Sequence, residues 1–212
     1  MASKTVKEIY TQYQIPKSLQ EHMLCVAGLA SIIVDSWKGV DIDKKAIIEV
    51  CIFHDIAKPM KFVLSKQADF GMSEKDIEKL RILQEELKRK YGDDEHKATL
   101  GICKEIGFSP KMLSLLDNLE WEFTPRLLKT NDIESLIPIY CDMRIGPKGI
   151  LPLKERIAEL EKRTQEEGLK EKAKAGEKAE KLIRKNVEID LNTITDEEIN
   201  TKMELLLKTV KF

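Results

Sequence analysis

The chain has 212 residues, 42% of them hydrophobic and 34% charged, which is enough for one globular domain with a sizeable core and some extra length. Its 36 basic and 37 acidic residues leave a formal net charge of -1, so the balance demands neither a nucleic-acid nor a membrane partner. No apolar run approaches the ~18–20 residues that span a bilayer, and the opening MASKTVKEIYTQYQ lacks the apolar stretch of a signal peptide.

Period-two alternation is scarce, and glycine and proline fall between segments that repeat every three to four residues, so the expected class is all-α. Ser18 with Glu21, after Pro16, reads as a capping box opening a helix to about Trp37. Asp43 caps the next helix, which Pro59 stops. Ser73 with Asp76 opens a third, closed by Gly92, and Asp93 or Asp94 a fourth, ended by Gly107. Ser109-Pro110 is a cap with proline at the first helical position. Asn131 with Glu134 opens a helix carrying IPIYCDM that ends near Gly146. From Lys154 to Lys185 the chain is mostly Lys, Arg, Glu and Ala, which reads as a solvated, projecting helical segment. A last amphipathic helix spans about Asp196 to Val210, capped by Thr195. The expected organisation is a compact domain over 1–160 and a charged helical extension over 161–212, the latter able to pair chains in a homo-oligomer. Cys25, Cys51, Cys103 and Cys141 are widely spaced on apolar helical patterns, as free thiols of a reducing cytoplasm are.

The chemistry concentrates on a few polar residues set in apolar helices. AIIEVCIFHDIA is apolar almost all round until His54 and Asp55. Burying that pair costs several kcal/mol unless it is hydrogen-bonded, paired or bound to a metal. His22 lies in the first turns of another apolar helix, whose positive end favours neutral imidazole. Asp142, in IPIYCDMRIG, is a third ionisable group on an apolar helix. For each residue alone, a structural role (a satisfied core histidine, an aspartate paired with a base) stays open.

Together, His22, then His54-Asp55, then Asp142 on successive helices resemble the pattern of the HD-domain superfamily of metal-dependent phosphohydrolases, over roughly residues 15 to 160. The resemblance implies an HD-type helical bundle in which His22, His54, Asp55 and Asp142 hold one divalent metal ion. Two imidazoles and two carboxylates suit Mn, Fe, Co, Ni, Zn or Mg. It further implies hydrolysis of a phosphoester or phosphoanhydride in a small phosphorylated substrate, a nucleotide above all. Asp55 would orient or deprotonate water, and Lys58 of HDIAK would meet a substrate phosphate. Arg144 would clamp phosphate, and His96 would protonate the leaving group or contact phosphate. A histidine expected near LLDNLEWEF is absent, with Asn118 or Glu120 as substitutes.

Ile56, Ala57 and Lys58 stand where alarmone hydrolases and deoxynucleoside monophosphatases of the superfamily carry acids, and the GYP signature of the cyclic-dinucleotide branch is missing. The chain is more similar to small stand-alone bacterial members, including dinucleoside-polyphosphate hydrolases. The alternative is a catalytically lapsed HD domain serving as a nucleotide-binding or regulatory module.

Overall fold

The computed structural model describes residues 3–163 and 168–212; residues 1–2 and 164–167, the latter inside the expected extension, lie outside the described residues. The protein is all-α, as expected. Its helices are α1 (Val6–Gln12), α2 (Lys17–Asp35), α3 (Lys44–Phe53), α4 (Glu74–Tyr91), α5 (Glu95–Ile106) and α6 (Pro110–Asp117). They continue with α7 (Thr124–Thr130), α8 (Ile133–Arg144), α9 (Leu153–Arg163), α10 (Leu169–Arg184) and α11 (Asp196–Thr209). The sheet among the described residues is a two-stranded hairpin, β1 (Ile145–Gly146) against β2 (Gly149–Ile150). No helix of the described residues is long and apolar enough to cross a membrane.

Side-chain caps set most boundaries. Asp43, Ser73, Asp94 and Ser109 each accept the amide three residues on, opening α3 to α6, and Thr195 forms a reciprocal capping box with Glu198 at α11. Three boundaries depart from the sequence pattern. Pro16 rather than Ser18 caps α2, its carbonyl accepting from the Leu19 and Gln20 amides. Asp132 rather than Asn131 caps α8, because Asn131 sits at φ 53° closing α7. And α3 stops at Phe53 instead of continuing toward Pro59. Beyond it the amides of Ile56 and Lys58 reach back only three residues, and a 3-10 turn follows over Lys58–Lys61.

The central element is α3, buried on nearly all sides and packed against α2, α6 and α8. Its last turn is tightly held. Phe53 makes edge contacts with Tyr10, Phe108 and Phe212 at centroid separations of 5.6, 5.9 and 5.0 Å, each worth about 0.5–1.5 kcal/mol beyond area burial. The Tyr10 hydroxyl donates to the Ile52 carbonyl at 2.6 Å.

The C-terminal segment corrects the sequence reading. It does not project into solvent. Leu169, Ala175, Ala179 and Ile183 of α10, then Leu191 and Ile194, then Ile199 and Leu206 of α11 are all buried. Helix α10 packs on α7 and α8, and α11 packs on α2. Gly28 permits this last contact, since a Cβ there would lie 2.9 Å from the Ile199 carbonyl oxygen. The Lys and Glu residues are the outer face of helices whose inner stripe is apolar. Accordingly, Ile199→Ala should cost about 2–4 kcal/mol, read as a lower urea midpoint. An unchanged midpoint would mean that α11 is a dispensable appendage.

Candidate metal centre

Three helices deliver the ionisable residues of the sequence pattern to one point. Helix α2 carries His22, α8 carries Asp142, and His54 and Asp55 follow directly on α3. The Nε2 of His22 lies 3.1 Å from Asp142 Oδ1 and 3.9 Å from Asp55 Oδ2. The Nε2 of His54 lies 3.6 and 3.8 Å from the same two oxygens. Ligand atoms of His22, His54 and Asp142 all fall within 4.8 Å of one another. Donors at about 2.0–2.2 Å from a common ion stand roughly 2.8–3.6 Å apart, so the separations of 3.1 to 3.9 Å lie within or slightly beyond that range.

The end of α3 also fixes the His54 ring. Its Nδ1 is 2.8 Å from the Cys51 carbonyl oxygen. A carbonyl only accepts, so Nδ1 carries hydrogen and Nε2 turns its lone pair toward the carboxylates. That Nε2 is buried and has no hydrogen-bond partner among the described residues. It faces Asp142 Oδ1 and Asp55 Oδ2 as an ion pair beyond hydrogen-bond length, a place that a proton or a metal cation could fill. Metal-ligating histidines generally need such a carbonyl behind the ring to hold its orientation.

Asp142 is held similarly. Trp121 Nε1 donates to its Oδ2 at 3.0 Å, leaving Oδ1 for the histidines. Burial alone would push the Asp142 carboxyl up, but the His22 imidazole at hydrogen-bond distance and the charge of His54 and His22 hold it well below the usual range. For His54 burial pushes the imidazole down, while Asp55, Asp142 and the Cys51 carbonyl outweigh it and raise it to about 9.

The cluster forms part of the wall of a cavity of about 310 Å³. Lys58 also lines it, 3.4 Å from Asp55 Oδ1; burial lowers its pKa, but the Asp55 charge, then Glu95 and Asp142, raise it on balance. His96 lines the cavity as well, outside the clustered ligand atoms, with Nε2 3.0 Å from Asp117 Oδ1 and Nδ1 3.4 Å from Glu120 Oε1. Glu120 therefore belongs to this wall. Asn118 is engaged elsewhere, donating to Ser135 Oγ and accepting from Arg126.

Arg144 is not brought to the site, which corrects its expected role as a phosphate clamp. It is 1% exposed, and its guanidinium donates to the carbonyls of Leu151 and Leu191 and to the Tyr140 hydroxyl. Those bonds tie α8 to the segments on either side of α10. Freeing the guanidinium would leave buried acceptors unpaired.

Comparisons of the chain with protein-family models, with curated proteins and with solved structures each returned no match.

The His54 shift fixes a pH dependence. Protonated His54 stabilises the metal-free protein below its unfolded pKa near 6.5, and that stabilisation, on the order of 3 kcal/mol, is lost as pH rises through about 9. A divalent ion held by His54 would have to displace this proton. Its affinity should therefore rise up to about tenfold per pH unit until pH 9, with close to one proton released at pH 7.5. Calorimetry in buffers of different ionisation enthalpy measures this, and binding without proton release would exclude His54 as a ligand.

Proposed function

We propose that the protein is a metal-dependent phosphohydrolase of the HD-domain type, with His22, His54, Asp55 and Asp142 holding one divalent ion. The observation that carries this reading is the buried Nε2 of His54, which makes no hydrogen bond among the described residues. It faces two carboxylates, beside a second imidazole, on the wall of a cavity that also holds Lys58. The donor set accommodates Mn, Fe, Co, Ni, Zn or Mg.

A divalent ion there supplies positive charge for a phosphoryl oxygen and lowers the pKa of water. The chain's own residues do the rest. Lys58 neutralises charge that grows on the phosphoryl group. Asp55, whose Oδ1 lies 3.4 Å from the Lys58 ammonium, orients the attacking water and accepts its proton. His96, fixed by Asp117 and Glu120, donates a proton to the leaving oxygen. Trp121 keeps Asp142 from rotating. Small phosphorylated compounds, nucleotides first, are the substrates to try, in a cytoplasmic setting. A homo-oligomer would have to use the charged outer faces of α10 and α11 rather than their buried stripes.

The second reading, a binding module without turnover, draws on the withdrawal of Arg144, which leaves Lys58 and Lys172 as the lysines on the cavity wall. Hydrolysis of p-nitrophenyl phosphate by protein loaded with Mn²⁺ separates the two. Asp55→Ala should lower turnover by about a thousandfold or more while leaving the helical circular dichroism unchanged. Undiminished activity in that variant would sink the assignment of Asp55. A metal-loaded wild type with no turnover of any phosphate ester would favour the binding module.

A further inference from the structure

The cavity beside the metal cluster has an unusual lining for a protein that handles phosphate. Asp55, Glu95, Glu120, Glu122 and Asp142 all contribute to it, against Lys58 and Lys172. The five carboxylates outnumber the two lysines by three, so a divalent ion together with a protonated His96 brings the wall only to neutrality. Lys172 is moreover engaged by Glu122 at 2.8 Å. A single phosphate can sit against the ion and Lys58. A second phosphate displaced toward Glu95 and Glu120 would meet carboxylates in a partly desolvated setting, where like charges repel strongly.

The same wall asks for hydrogen-bond donors. The Glu95 carboxylate accepts no hydrogen bond among the described residues, and burial pushes both it and Glu120 up. Thr99 lies one turn on from Glu95, on the same face of α5. It lines the cavity, is 2% exposed, and its Oγ1 has no partner among the described residues. A helical threonine ordinarily bonds the carbonyl one turn back. This one does not. A hydroxyl that can both donate and accept, beside carboxylates that only accept, is the complement of an alcohol with neighbouring hydroxyls.

We infer that this cavity is a subsite for the hydroxylated part of a phosphomonoester, a ribose-like or other polyol group. Glu95 and Glu120 accept its hydroxyls, Thr99 completes the set, and the same acidity excludes a second phosphate. The inference rests on the hydrolase reading for the placement of the phosphate, but it is tested by binding.

Thermal-shift titrations of the full-length, Mn²⁺-loaded protein compare ribose 5-phosphate with 2-deoxyribose 5-phosphate, and fructose 6-phosphate with fructose 1,6-bisphosphate. The expected apparent Kd is about tenfold or more lower for the hydroxyl-bearing ribose phosphate and for the monophosphate of the second pair. Thr99→Val, close in shape and lacking the hydroxyl, and Glu95→Gln should each shrink the ribose-to-deoxyribose ratio toward one. Equal affinities within both pairs in the wild type, no binding of any of the four, or a preference for the bisphosphate would overturn the subsite. So would a hydroxyl preference that survives both substitutions. Turnover of p-nitrophenyl phosphate and of the four sugar phosphates is scored separately. Its absence alongside intact hydroxyl selectivity would overturn the hydrolase reading and leave the subsite standing. Turnover without selectivity would do the reverse.

Discussion

The structure around the centre depends on how the buried end of α3 satisfies its last carbonyls. A helix terminus in a core leaves carbonyls without intrahelical partners, and each needs a donor from elsewhere. The Tyr10 hydroxyl supplies one to Ile52, and His54 Nδ1 supplies one to Cys51. The second bond does two things at once. It closes the helix end, and it fixes the imidazole so that Nε2 points at Asp55 and Asp142. The aromatic contacts on Phe53, the residue before His54, keep that terminus from shifting. The orientation of the candidate ligand thus follows from the packing of the core.

Much of this was legible in the residues. His22, His54, Asp55 and Asp142 are polar groups on otherwise apolar helices, and the cost of burying each one alone favours their meeting. Other features were legible only in part. Arg144 follows Asp142 by two residues, a rotation of about 200° on a helix, so a cavity-facing Asp142 already directs Arg144 away. Lys58 reaches the cavity by way of the helix end. The helix ends before it, and the turn from His54 to Ala57 carries it there rather than a shared helical face. Trp121 was hidden, because a tryptophan in a polar connection has no marker for the carboxylate it will bond. Helix α10 was misleading because Ala175, Gly176 and Ala179 make up most of its buried stripe, and the dense charge of its outer face dominates the composition.

The cavity and the cluster are electrostatically linked. Carboxylates that repel one another favour protonated His54, and an ion held at this cluster would compete with that proton for the same nitrogen. A bound ion relieves that repulsion and offsets much of the acidity of the wall. Lys58, close to Asp55 and within the influence of Glu95, sits where the cluster passes into the rest of the cavity. It is the residue best placed to couple a phosphate at the ion with whatever the cavity holds.

The most direct test of a single centre built from these four side chains is X-ray absorption spectroscopy of the protein loaded with one equivalent of Co²⁺. The expected spectrum has nitrogen and oxygen donors at about 2.0–2.2 Å and the outer-shell scattering of two imidazoles, falling to one in His22→Ala. An all-oxygen shell without imidazole scattering, unchanged in that variant, would place the ion elsewhere and contradict the centre.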